Sequence, residues 1–186
     1  MFTKPRPNSR EKRVPKPLNP VRLNDLALHY VARFATSGAK LADYLRRKLR
    51  ERGWEGEGAA PIAELVERFV AAGYIDDAAY ARAKSGSLLR RGYGQRRIGQ
   101  ALGQAGIAEE VREEVRAGAN EQRAAALALA KKRRFGPFSA SPPDRPLREK
   151  QLAAMLRAGH PLDLARGVLN AASAEAAEEW ANEDWE

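Results

Sequence analysis

The sequence predicts an all-α fold, an elongated and curved tandem array of three-helix repeats. Apolar residues recur at spacings of three and four along most of the chain, and the alternation typical of strands is almost absent. Aromatic residues make up only 7% of the 186 residues while alanine is abundant, which suits thin helical layers. Gly53, Gly106 and Gly159 each stand at the expected end of a helix and are separated by 53 residues. Stacked repeats bury their apolar faces on one another, so a long concave face is expected.

The first repeat is expected over residues 21–75, after a basic, proline-rich arm over residues 1–20. Its three helices are predicted by three apolar stripes: Leu23, Leu26, Tyr30, Val31 and Phe34; Leu41, Leu45 and Leu49; Ile62, Leu65, Val66, Phe69 and Val70. The second repeat is expected over residues 76–118. Its helices run from about Asp76 to Arg91, then through Ile98 and Leu102, then through Val111 and Val115.

The third repeat is expected over residues 119–172, and the periodicity is weakest there. Where the earlier repeats have Leu45 and Ile98 this one has Gln151, so the neighbouring Leu152 is expected to take the apolar role. An acidic tail over residues 173–186 follows, in which clustered carboxylates repel one another. Both the arm and the tail are therefore expected to be mobile. An alternative for the tail is that it folds back onto the basic face.

Composition narrows the class of protein. The chain has no cysteine, and two histidines far apart in the sequence, so neither disulfides nor a metal site is expected. It lacks an apolar run of about twenty residues that could cross a membrane, and its amino terminus lacks the apolar segment of a secretory signal. The expected location is the cytoplasm. The net charge of +9 resides in the middle of the chain, because the basic arm and the acidic tail cancel, and a basic body favours polyanionic partners.

Motifs for catalysis are not found, and no enzyme activity or cofactor is expected. The segment from Gly94 to Gly99 has the glycine spacing of a phosphate-binding loop, but it is followed by Gln100 and Ala101 instead of lysine and a hydroxyl residue. The paired carboxylates of Asp76 and Asp77 follow a glycine at a helix start. They are interpreted as capping groups for free helix amides.

The segment LLRRGYGQRRIGQAL, residues 88–102, places Arg90, Arg91, Arg96 and Arg97 around a Gly-Tyr-Gly bend. Arg96 and Arg97 fall in the first turn of a predicted helix, where the helix dipole disfavours cations. We expect the bend at Gly92 and Gly94 to let four guanidinium groups converge, with Tyr93 as a flat surface beside them. Guanidinium groups pair well with phosphate or carboxylate oxygens. A binding corner is the favoured interpretation, and a solvated corner is the alternative.

The segment over residues 73–107 resembles the central signature of the RecX family, bacterial regulators of the RecA recombinase. The elements of the resemblance stand in order in the sequence: Gly73, Tyr74, Ile75, Asp76, Asp77, Tyr80, Ala81, Arg91, Gly92, Gly94, Arg97, Ile98, Leu102, Gly106 and Ile107. The resemblance covers about residues 23–172. It implies a three-helix-repeat protein that lies in the groove of a RecA filament on single-stranded DNA. Such binding would block or destabilise the filament and so restrain recombination and the SOS response.

Further basic residues are assigned to the same face by analogy with that family. They are Arg46, Arg47, Lys131, Lys132, Arg133 and Arg134. The last four stand at a helix carboxyl end, where positive charge is favourable without any ligand. The leading hypothesis is a monomeric modulator of a recombinase filament that binds bare DNA weakly at most. The alternatives are an autonomous nucleic-acid-binding protein, with strongly salt-dependent affinity, and an unrecognised enzyme.

Overall fold

The computed structural model describes residues 16–183. Within that range the chain forms ten α-helices and one short 3-10 turn, and its only β-type pairing is an isolated parallel bridge between Leu18 and Trp54. The predicted all-α fold of tandem helical repeats is therefore confirmed. None of the helices in the described range has the length and apolarity required to span a membrane.

The first unit consists of α1 (Pro20–Arg33), α2 (Gly38–Arg52) and α3 (Ile62–Ala71). The side chains of Asn19 and Ser37 cap α1 and α2 by accepting hydrogen bonds from first-turn amides. Most residues of the predicted apolar stripes face a common core, which includes buried Leu18, Leu23, Leu41, Leu45, Leu65 and Phe69. Phe34 and Val70, predicted for the same stripes, are instead exposed.

The segment preceding α1 belongs to this core, in contrast to the predicted mobile arm. Leu18 is fully buried; its amide donates to the Gly53 carbonyl at 3.0 Å, and its carbonyl accepts from the Glu55 amide at 2.8 Å. Pro20 is the first residue of α1, a position where a missing amide hydrogen costs nothing. The prediction is therefore wrong for residues 16–20, and residues 1–15 lie outside the described range.

The second unit consists of α4 (Asp77–Arg90), α5 (Gln95–Gly103) and α6 (Glu109–Glu114). The predicted capping role of Asp76 is confirmed, since its Oδ1 accepts from the Ala79 amide at 2.8 Å. The core of this unit is separate from the first and contains Ala81, Leu88, Ile98, Leu102, Ala105 and Ile107.

The third unit consists of α7 (Ala119–Arg133), α8 (Arg145–Arg157), α9 (Leu162–Leu169) and α10 (Ala174–Asn182). Its core contains Ala126, Leu129, Met155, Val168 and Ala177. Leu152 was expected to take the buried position of this repeat in place of Gln151, but Gln151 is the residue that is buried. Its side-chain oxygen accepts from the Gly136 amide at 2.9 Å, so the loop after α7 satisfies the buried amide, and Leu152 packs beside it only partly buried.

The prediction of a mobile acidic tail is wrong for residues 174–182, which form α10. Ser173 caps this helix, and the small side chains of Ala177 and Ala181 are buried. On the outer face Glu178 forms an ion pair with Lys131 of α7 at 2.6 Å. The tail is helical because its alanines fill the core of the third unit while its acids face solvent and α7.

The glycines of the 53-residue period end their helices as predicted. Gly53, Gly106 and Gly159 have φ values of 80°, 69° and 98°, in the left-handed region that favours glycine. The amides of Ile107 and His160, which follow the second and third of these glycines, donate back to the carbonyls of Leu102 and Met155. The carbonyls of Ala105 and Ala158, which precede these two glycines, accept hydrogen bonds from the neighbouring unit instead.

Candidate functional site

The second and third units meet where the start of α5 touches the end of α8. The amide of Gly94 donates to the Ala158 carbonyl at 2.9 Å, and the amide of Arg96 donates to the Gly159 carbonyl at 3.2 Å. A helix start lacks partners for its amides and a helix end lacks partners for its carbonyls. Each helix therefore satisfies the other, and their dipoles meet with opposite ends together.

The glycines of the Gly-Tyr-Gly bend are required by this contact. A Cβ on Gly94 would lie 2.3 Å from the carbonyl carbon of Gly159, and one on Gly92 would lie 2.8 Å from the Leu129 amide nitrogen of α7. Both neighbours are backbone atoms, which cannot move aside as a flexible side chain can. The bend is thus the point where two units dock with their backbones almost in contact.

A related contact joins the first and second units. The hydroxyl of Ser37, at the start of α2, donates to the Ala105 carbonyl at the end of α5 over 2.5 Å. The carboxylate of Asp77 accepts from the Gly38 amide at 2.9 Å, so this residue connects the units while Asp76 caps its own helix. The middle helices of the three units therefore lie end to end: the start of α2 contacts the end of α5, and the start of α5 contacts the end of α8.

His160 is buried at the joint between the second and third units. It is only 3% exposed, and its Nε2 lies 3.0 Å from the Gly92 carbonyl. Burial lowers the pKa of His160 below its ordinary value, while the hydrogen bond to Gly92 opposes that shift. The geometry fits a neutral ring that donates from Nε2, and its Nδ1 has no hydrogen-bond partner in the described part of the chain.

Beside this joint lies a cleft of about 410 Å³, called here the basic cleft. The second unit lines it with Arg91, Tyr93 and Arg97, and the third unit with Lys132, Arg133 and Arg157. Its remaining lining residues are apolar: Leu129, Phe135, Ala154 and Ala158. Five cations and no acid thus surround one small volume.

The cations of the basic cleft are not neutralised by the described protein. Arg91 stands over the Tyr93 ring at 5.4 Å, but no ion pair joins any of the five to an acid within residues 16–183. Like charges in a partly enclosed site repel more strongly than in bulk water. Such an arrangement disfavours the empty cleft and favours an anion with several charges.

The predicted convergence of four arginines at the bend is only half right. Arg91 and Arg97 line the cleft, whereas Arg90 lies along α4, with Nη1 3.3 Å from the place where a Cβ on Gly86 would be. Arg96 points to α8, where its Nη2 donates to the Leu156 carbonyl at 2.6 Å. Neighbouring residues on a helix point about 100° apart, so one arginine of each adjacent pair is directed away from the cleft.

Arg96 also overturns one step of the argument from helix dipoles. It does lie in the first turn of α5, which disfavours a cation, but the same position adjoins the last turn of α8, where a cation is favoured. Docking of the units therefore explains why an arginine stands at position 96, and no ligand is needed to account for it. Of the four arginines at the bend, only Arg91 and Arg97 are thus placed to bind an anion, together with the cations that the third unit supplies.

The remaining predicted residues are divided between the cleft and other surfaces. Lys132 and Arg133 line the cleft, while Lys131 pairs with Glu178 and Arg134 ends α7 in a left-handed conformation with φ of 55°. On α2 of the first unit, Arg46 pairs with Asp43 at 2.9 Å and Arg47 approaches Glu51 at 3.9 Å. The structure does not bring these two arginines into the basic cleft.

Arg157 is the cleft residue that sequence reasoning missed. Its counterparts one and two periods earlier are Gln104 and Glu51, so the repeat carries no charge signal at this position. A basic residue in the last turn of a helix is also ordinary. Only the docking of α8 against α5 reveals that it joins Arg91 and Arg97.

The sequence and the fold are both similar to those of known proteins. A family model described as RecX, second three-helix domain, matches residues 76–115, which include the bend and its arginines. A protein named regulatory protein RecX from Myxococcus xanthus is 34% identical over 88% of this chain and 94% of its own length. Another protein of that name, from Agrobacterium fabrum, is 31% identical over 81% of this chain and 83% of its own length. A crystal structure of RecX from Lactobacillus salivarius has the same fold, with a TM-score of 0.61 and 20% identity over 78% of this chain and 91% of that chain.

Proposed function

Because this chain belongs to the RecX family, whose relatives are named as regulatory proteins, we propose that it regulates RecA filaments. It binds the filament on single-stranded DNA in its groove and inhibits or destabilises it, which restrains recombination and SOS induction. It does so as a cytoplasmic monomer by binding alone, without catalysis or a cofactor.

The observation that carries this proposal is the basic cleft. A RecA filament offers DNA phosphates and acidic side chains, and both bind guanidinium groups through charge-assisted hydrogen bonds. Five cations without acidic neighbours are available to such a partner. The filament contacts are therefore assigned to Arg91, Tyr93, Arg97, Lys132, Arg133 and Arg157.

The position of the cleft fits an extended partner. Its cations come from two successive units, so a filament surface that engages them contacts the helical array across a joint. Arg46 and Arg47 of the first unit remain a predicted second contact, which should contribute less to binding because each has an acidic neighbour on its own helix. An array of this kind suits a repetitive filament better than a compact ligand.

The test measures RecA ATP hydrolysis on single-stranded DNA while the protein is titrated. The proposal predicts inhibition at amounts well below that of RecA, with weak binding to bare single-stranded DNA. The alternative, an autonomous nucleic-acid-binding protein, predicts tight binding to bare DNA that falls steeply with salt, and inhibition only when the DNA is saturated. Inhibition that merely follows coverage of bare DNA would contradict the proposal.

A further inference from the structure

We propose that the basic cleft is a phosphate site that takes neighbouring phosphate groups carried on one molecule, and that this ligand bridges the second and third units. The inference rests on the proposed function, since it concerns the same cleft, and it specifies which chemistry the cleft recognises. Two sources share that chemistry: the backbone of single-stranded DNA and the phosphate chain of a free nucleotide.

The charge of the cleft sets the kind of ligand. Five cations in about 410 Å³ cannot be neutralised by one carboxylate, and several carboxylates would each bring a side chain and its backbone into the same volume. Phosphate groups carry more charge in less space. Four of the five cations are arginines, whose planar forks bind phosphate oxygens in pairs.

The cleft joins two units whose docking otherwise uses backbone groups, the buried His160 ring and the Arg96 guanidinium, none of which offsets the charge of the cleft. Arg91 and Arg97 belong to the second unit and face Lys132, Arg133 and Arg157 of the third, so their repulsion acts across the joint. The hydrogen bonds from Gly94 and Arg96 to the end of α8 hold the units together against it. A bound anion of several charges would turn this repulsion into a bridge, so ligand binding should also stabilise the fold.

The first experiment uses inorganic tripolyphosphate as the probe and calorimetry on the full chain. Wild type is compared with a cleft variant, Arg91→Gln/Arg97→Gln/Arg157→Gln, and with a matched control, Arg145→Gln/Arg148→Gln/Lys150→Gln. The three control residues are exposed on α8, the helix that carries Arg157, and the control loses the same number of positive charges. Any nonspecific effect of net charge is therefore equal in the two variants.

We expect tripolyphosphate to bind wild type and control alike, and the cleft variant at least about tenfold more weakly, because charge-assisted hydrogen bonds are lost. Tripolyphosphate should also raise the melting temperature of wild type and control more than orthophosphate does at equal ionic strength. Equal binding to the cleft variant and the control would overturn the proposal, as would equal effects of the two phosphates. If the cleft variant does not fold, Lys132→Gln/Arg133→Gln on α7 takes its place with the same expectations, and Arg145→Gln/Arg148→Gln becomes the control, so that both variants again lose the same number of charges.

Displacement of tripolyphosphate then distinguishes the sources. Displacement by a short oligothymidylate, but not by its uncharged methylphosphonate analogue or by ATP, assigns the cleft to the DNA backbone. Displacement by ATP but not by the oligothymidylate assigns it to a free nucleotide. If neither displaces the probe, the proposal is wrong, because neither biological source of phosphate groups fits the cleft.

The same variants separate this inference from the proposed function. Loss of tripolyphosphate binding with full inhibition of RecA would mean that the cleft binds phosphate while the filament is engaged elsewhere. The inference would then stand, and the filament contacts assigned above would fall. Absence of tripolyphosphate binding in a wild-type protein that inhibits RecA would refute the inference and leave the proposed function intact.

Discussion

The close docking of the second and third units makes Gly94→Ala the most informative single substitution. Gly94 has φ of −83° and ψ of 166°, a conformation that alanine adopts without strain. The added Cβ would, however, lie 2.3 Å from the carbonyl carbon of Gly159 and 2.4 Å from both the Gly159 oxygen and the His160 nitrogen. The effect of this substitution therefore reports the space at the joint and not the backbone preference of the residue.

The expected loss of stability follows from the contacts that must shift. Overpacking against atoms that cannot move aside costs about 1 to 3 kcal/mol. Moving α8 away also weakens two backbone hydrogen bonds, from the amides of Gly94 and Arg96, at roughly 0.5 to 1.5 kcal/mol each. The free energy of unfolding should therefore fall by about 2 to 6 kcal/mol.

Gly99→Ala provides the matched control in the same helix. Gly99 lies inside α5, and a Cβ there would have no neighbour within 4 Å, so alanine should stabilise the chain by about 0.5 to 1 kcal/mol. Urea unfolding followed by circular dichroism measures both variants. If Gly94→Ala leaves the free energy of unfolding within about 0.5 kcal/mol of wild type, or raises it as the control does, the units do not dock as described.

Three further predictions concern other parts of the same assembly. Arg96→Gln should lower the free energy of unfolding by about 1 kcal/mol, because the Leu156 carbonyl loses a charged donor. Arg97→Gln should change that free energy by less than about 0.5 kcal/mol. Equal losses in urea unfolding would contradict the different roles of the two arginines. The folded pKa of His160 is below its ordinary value of 6.5, so the stability it contributes is complete above pH 6.5 and is lost as the pH falls through the lowered folded pKa. His160→Gln should therefore flatten the dependence of the melting temperature on pH between those limits, and an unchanged dependence would exclude a buried neutral ring. Ala177→Asp on α10 places a carboxylate in the core of the third unit and should lower the free energy of unfolding by about 3 kcal/mol or more, whereas Ala172→Asp on the surface should be nearly neutral. Similar values for the two in urea unfolding would mean that α10 does not pack as described.

The helices and their repetition were predictable because they rest on local signals. Apolar spacing located α1 to α9, and the period of Gly53, Gly106 and Gly159 identified the ends of the middle helices. A left-handed glycine leaves a mark in the sequence that does not depend on the rest of the fold. Asp76 was likewise recognised as a cap, since its partner is only three residues away.

The joint between units was not predictable, because its partners are far apart in the sequence. Arg96 and the Leu156 carbonyl are 60 residues apart, and the arginine carries no mark that separates it from Arg97. The acidic composition of residues 175–186 concealed a helix whose alanines fill a core that the third unit supplies. In both cases the tertiary neighbour, and not the local pattern, decides what the residue does.

The most direct test of the central claim is inhibition of RecA ATP hydrolysis by the cleft variant Arg91→Gln/Arg97→Gln/Arg157→Gln and by the control Arg145→Gln/Arg148→Gln/Lys150→Gln. The cleft variant should remain folded by circular dichroism and inhibit at least about tenfold less well than wild type, since contacts to charged groups are worth roughly 1.5 to 3 kcal/mol each. The control should inhibit like wild type. If both variants inhibit equally, the basic cleft between the second and third units is not where the filament is bound.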